Sequence, residues 1–93
     1  MAALDDLIAE LERSYTETQA RISDPAVYND HREAADVGRR LKQLEGPYRL
    51  AQQWRQASAD LEAARNDPEL AEMAADYEAE VERLEEELKV ALA

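Results

Sequence analysis

Residues 31–65 read HREAADVGRRLKQLEGPYRLAQQWRQASADLEAAR, and the fold turns on them. Ala34, Val37, Leu41, Leu44 and Tyr48 recur at steps of three and four, the period of one face of an α-helix. Beyond Gly46-Pro47 a second set, Leu50, Trp54, Ala57, Leu61 and Ala64, keeps that period in another phase. Continuing the first set past Tyr48 would lead to Ala51 and Arg55, whereas the large apolar residues stand at 50 and 54. Pro47 has no amide hydrogen and crowds the preceding turn, so it either breaks the helix or kinks it and rotates the buried face. Strong helix formers flank it and no polar loop surrounds it. The reading favoured is one kinked helix of about 35 residues, roughly 50 Å long.

Two Asp-Pro pairs punctuate the chain on either side of this stretch. Upstream, Leu4, Ile8, Leu11, Tyr15, Thr18 and Ile22 form a helical stripe that Leu7 widens, predicting a first helix over about 4–22. Ser23-Asp24-Pro25 ends it, because the residue before proline is pushed away from α geometry, and Pro25 opens a short turn through Tyr28 with Asp24 as its cap. Asn29-Asp30 then caps the long helix, with Glu33 placed as in a capping box. Downstream, Asn66-Asp67-Pro68-Glu69 stops that helix and starts a third over about 68–92. Its stripe, Leu70, Ala74, Tyr77, Val81, Leu84, Leu88 and Ala91, alternates steps of four and three and is the cleanest heptad seam in the chain.

Short connections make neighbouring helices antiparallel. The first helix is long enough to cover one half of the second, and the third covers the other half. The expected architecture is all-α: a single domain over 1–93, an elongated antiparallel three-helix bundle with coiled-coil-like packing and a long kinked second helix. Its expected core is Leu4, Leu7, Ile8, Leu11, Tyr15, Val37, Leu41, Leu44, Trp54, Leu61, Leu70, Tyr77, Val81, Leu84 and Leu88.

Composition excludes several classes of function. The 93 residues carry 22 acids against 11 bases, a net charge of −11, which opposes nonspecific binding to nucleic-acid phosphates, so no free DNA binding is expected. Cysteine is absent, so there are no disulfides, thiolate nucleophiles or thiolate metal sites. No apolar run approaches the roughly 20 residues of a membrane span. Met1-Ala2-Ala3-Leu4-Asp5-Asp6 lacks the basic-then-apolar pattern of a secretory signal, and a cytoplasmic protein is expected.

The charge is partitioned along the chain. Residues 1–29 carry −4, residues 30–65 carry +1 and residues 66–93 carry −8. The third helix places Glu78, Glu80, Glu82, Glu85, Glu86 and Glu87 away from its seam, with Arg83–Glu87 and Glu85–Lys89 as expected pairs. Such a helix reads first as a solvated face and second as a partner surface. Arg39, Arg40, Lys42 and Arg49 form the candidate partner-contact residues. The plainer reading is that Asp36 neutralises Arg39 and Arg40 and that Glu45 neutralises Arg49. Trp54 reads as core, with an exposed anchor as the alternative.

Catalysis fails on inventory, so no enzyme, cofactor or metal is expected. His31 is the only histidine. Glu85, Glu86 and Glu87 project about 100° apart and do not converge on a substrate. Gly38 and Gly46 are isolated, so no phosphate loop exists.

With those elements in order, the chain resembles the amino-terminal helical domain of bacterial class I peptide chain release factors. The segment Ile22-Ser23-Asp24-Pro25-Ala26-Val27-Tyr28-Asn29-Asp30 is similar to the stretch after their first helix. Gly38-Arg39-Arg40-Leu41, then Leu44-Glu45 and a proline, is similar to their second helix. Asp67-Pro68-Glu69-Leu70-Ala71-Glu72-Met73-Ala74 resembles the opening of their third, leaning toward the release factor one type, which reads UAA and UAG. The run Glu82-Arg83-Leu84-Glu85-Glu86-Glu87-Leu88 follows as in that family.

The resemblance implies a domain that works near the ribosomal stalk base and with the class II release factor GTPase. Codon reading and the Gly-Gly-Gln loop of peptidyl-tRNA hydrolysis belong to other domains of that family. This chain has no adjacent glycines, so no catalytic or codon-reading residue is carried over. The alternative is a self-associating coiled-coil module built on the seam from Leu70 to Ala91. A monomer is expected, because the third helix already has partners within the chain.

Overall fold

The structure, a computed structural model, describes residues 3–93. Met1 and Ala2, part of the reading of the chain start, lie outside the described residues. The fold is all-α: α1 (Leu4–Ile22), α2 (Pro25–Tyr28), α3 (His31–Asn66), a 3-10 segment (Pro68–Met73) and α4 (Ala74–Ala91). Helices pack against one another within the chain, and no strand occurs among the described residues. The chain divides into two compact units, 1–48 and 49–93, each formed around part of α3.

Pro47 lies inside an uninterrupted α3, so the helix is not broken there. With no amide hydrogen on Pro47, the Gln43 carbonyl loses its donor four residues on; Gln43 is exposed.

In the first unit α1 runs antiparallel to the start of α3. Arg21, in the last turn of α1, meets Glu33 in the first turn of α3, while Tyr15 stacks on Tyr48 further along, ring centroids 3.9 Å apart and planes 13° apart. Ile8 is completely buried, and Leu11, Val27, Val37 and Leu44 are buried with it. Thr18, also buried, donates its hydroxyl to the Ser14 carbonyl at 2.7 Å, so its polar atom is satisfied within its own helix.

Capping differs from the expected box in one respect. The Asp24 carboxylate accepts from the Ala26 amide at 3.0 Å and caps α2, whose first residue is Pro25. The Asp30 carboxylate accepts from the amides of Arg32 and Glu33 at 3.1 and 3.2 Å and caps α3. Glu33 does not reach back to complete a box. Its carboxylate takes Arg21 of α1 at 2.5 Å instead, while the Asp30 amide donates to the Val27 carbonyl at 3.0 Å. A charged donor at hand outcompetes a neutral amide for an ionised acceptor.

In the second unit α4 runs antiparallel to the end of α3, as Trp54 with Glu85 and Arg65 with Glu78 show. Leu84 and Leu88 are fully buried against the stripe of Trp54, Ala57, Leu61 and Ala64. The predicted third helix does not begin as α-helix. Pro68–Met73 is 3-10, with Asp67 accepting from the Glu69 amide at 2.9 Å, and α geometry starts at Ala74. None of the six residues of that segment is buried. Tighter 3-10 turns of this kind are frequent where an α-helix begins.

The core expectations need three further corrections. Leu7 is 41 % exposed although Leu11, only about 40° around α1 from it, is buried, so helical phase alone does not decide its burial. Leu4, Tyr15, Leu41, Leu70, Tyr77 and Val81 are half-buried rather than buried. At the change of register, Ala51 is completely buried and Leu50 half-buried, so the first stripe runs one step further past Pro47 than the large side chains indicate.

Candidate functional site

Arg39, Arg40, Lys42 and Arg49 all sit on α3 and are all exposed. The first three belong to the first unit and Arg49 to the second. Asp36 pairs with Arg39 alone, three residues away. Arg40, Lys42 and Arg49 make no ion pair among the described residues, and Glu45 does not hold Arg49. The internal neutralisation expected of this cluster is therefore confined to one residue. An exposed carboxylate at one turn's distance stabilises a flexible side chain by only about 0.2–1 kcal/mol, too little to collect every neighbour.

The first unit also forms an open cleft of about 350 Å³ where the end of α1 meets the start of α3, lined by Arg21, Asp30, Arg32, Glu33, Asp36, Val37 and Arg40. It brings Arg40 of the candidate set beside Arg32, which is not in that set. Arg32 stands eight positions before Arg40; the missing signal was the loop that lays the end of α1 alongside this part of α3.

On α4 two cations of the helix itself, Arg83 and Lys89, and Arg65 of α3, which takes Glu78, organise the glutamates. Arg83 bridges Glu80 and Glu87, the latter at 2.8 Å, as expected for the pair four apart. The hydrogen bond from Arg83, reinforced by its charge, holds the Glu80 carboxyl below its ordinary value; the same bond raises the Arg83 guanidinium. Lys89 pairs with Glu86 at 3.1 Å, not with Glu85. Glu85 is drawn inward: it accepts the Trp54 indole N–H at 3.1 Å, while Arg55 lies over the indole ring at 5.1 Å. Trp54 is thus core, 7 % exposed, with its one polar atom satisfied. Among the described residues no three histidine or carboxylate side chains are grouped to hold a metal ion, and no helix is long and apolar enough to cross a membrane.

Fold and charge define a class: a small all-helical domain whose chemistry is carried by ionised side chains on its helix surfaces. The chain belongs to the PCRF domain family, whose model matches residues 11–93. It is 39 % identical over 88 residues to peptide chain release factor 1 of Corynebacterium efficiens, covering 95 % of this chain and 23 % of that relative. The factor of the same name from Kocuria rhizophila gives the same figures, 39 % over 88 residues with 95 % and 23 % covered. That of an Arthrobacter species is 40 % identical over 75 residues, covering 81 % of this chain and 20 % of the relative. The chain therefore spans less than a quarter of the length of these curated relatives. No solved structure matches it.

Proposed function

We propose that this chain is the non-catalytic amino-terminal helical domain of a peptide chain release factor, acting in translation termination at stop codons in the cytoplasm. The observation that carries this reading is the PCRF match over residues 11–93, together with relatives that all bear the name peptide chain release factor 1. Stop-codon reading and peptidyl-tRNA hydrolysis fall to the rest of such a factor. The domain contributes docking at the ribosome near the stalk base and interaction with the class II release factor GTPase. Within it, Arg39, Arg40, Lys42 and Arg49 supply the contact. Three of them carry charge that nothing within the described residues neutralises, which supports an external acceptor. Leu84 and Leu88 of the α4 seam are buried within the chain, which supports a monomer over the coiled-coil alternative.

The test uses the complete release factor with these four residues reversed to glutamate. Ribosome affinity should fall at low salt, and its dependence on salt should flatten, because fewer counterions are exchanged on binding. Unchanged affinity at low salt removes this surface from the reading.

A further inference from the structure

The cleft between α1 and α3 holds three carboxylates and three arginines, yet its hydrogen bonding is lopsided. Every carboxylate is engaged: Asp30 by the Arg32 and Glu33 amides, Glu33 by Arg21, Asp36 by Arg39. The Arg32 and Arg40 guanidinium groups have no ion pair or hydrogen bond among the described residues. Each carboxylate has at least one partner, while these two guanidinium groups have none among the described residues. Val37, only 3 % exposed, is the one apolar residue of the lining, so an entering side chain meets chiefly the charged side chains and their stems.

We propose that this cleft is a docking site for a carboxylate side chain, Asp or Glu, presented by a segment of a partner protein and held by Arg32 and Arg40. A planar guanidinium matches a carboxylate in two parallel hydrogen bonds, which gives orientation as well as charge. The volume, about 350 Å³, lies at the small end of ligand sites and suits a side chain rather than a folded surface. A nucleic-acid strand is the poorer occupant. The chain carries −11 overall, which repels a polyanion, and two arginines release only about two counterions. The proposal goes beyond ribosome docking and shares only Arg40 with it.

A short peptide with one glutamate among uncharged residues serves as the probe, titrated into the intact chain with the arginine Nε–Hε resonances followed by NMR. The expected result is saturable movement of the Arg32 and Arg40 signals. Arg32→Gln and Arg40→Gln should each weaken binding roughly tenfold, the loss of one charge-assisted hydrogen-bonding partner. Arg40→Lys, which keeps the charge and removes the fork, should fall between. Both side chains are exposed, and the amide signals report whether each variant keeps the fold. The idea is overturned if the cleft resonances do not move, or if the substitutions leave affinity unchanged. It is also overturned if hexauridylate or inorganic phosphate binds there more tightly than the peptide. Arg32 lies outside the four residues reversed in the ribosome experiment, so either proposal can fail while the other stands.

Discussion

Leu7 and Leu84 carry the same side chain on helices of similar amphipathic pattern, yet one is 41 % exposed and the other 1 %. Periodicity ranks both as core, since each falls on or beside an apolar stripe. Helical phase does not settle the matter, since Leu11, four residues on and only about 40° around α1 from Leu7, is buried. Ala51 is the converse, a small residue that hydropathy passes over and the structure buries completely. Burial of an alanine depends on how closely a neighbouring backbone approaches, which no single-chain pattern records. The energetic consequence is a contrast between two identical substitutions. Leu84→Ala should destabilise the chain by about 2–5 kcal/mol, because a tightly enclosed side chain leaves a cavity that its surroundings only partly fill. Leu7→Ala should stay within roughly 0.5 kcal/mol of the parent, as for a surface position. Urea denaturation of both variants, followed by circular dichroism, checks the pair; equal losses would mean that Leu7 is enclosed after all.

Helices were legible as elements because their stripes, caps and Asp-Pro pairs agree, and α1 and α2 begin and end where those signals place them. Two features were not. The 3-10 geometry of Pro68–Met73, where no residue is fully buried, is not revealed by the regular spacing from Leu70 to Ala74. The continuity of α3 through Pro47 was an open choice between a break and a kink, since proline costs a helix about 3 kcal/mol yet packing on either side can hold it in place. Pro47 therefore stores a local instability in the longest element. Pro47→Ala restores the amide that the Gln43 carbonyl lacks and removes the clash of the ring with the preceding turn. Part of that gain is offset, since the unfolded chain becomes less restricted. Thermal unfolding should show a net stabilisation of roughly 1–3 kcal/mol. A lower midpoint would show that the packing of the Tyr48 or Trp54 stripes depends on the proline itself by more than the recovered hydrogen bond contributes.

Over the whole molecule acid exceeds base in both units: ten acids against six bases in residues 1–48, and twelve against five in residues 49–93. The candidate basic cluster was visible at once in the residue order, but its pairing was not. Positions three and four away on a helix are nearly equivalent in energy, so Asp36 chooses Arg39 over Arg40, and Lys89 takes Glu86 over Glu85, for reasons of local geometry. These pairs are exposed, with side chains around half to three-quarters accessible, and each stabilises by at most a few tenths of a kcal/mol. Salt weakens them, but it also screens the repulsion among unpaired acids, which are more numerous. Raising ionic strength from about 0.01 M to about 0.15 M shortens the screening length from roughly 30 Å to roughly 8 Å, close to the spacing between helices. Repulsion acting across helices is then lost, while contact pairs retain part of their attraction. The unfolding midpoint should therefore rise with salt. A gain of about 1 kcal/mol would move it by roughly 4–8 °C in a chain of this size. Sodium chloride is the titrant of choice, since sulfate would add a separate effect on apolar burial. A midpoint that falls instead would mean that the Arg83 and Lys89 networks of α4 outweigh the repulsion of the twenty-two acids.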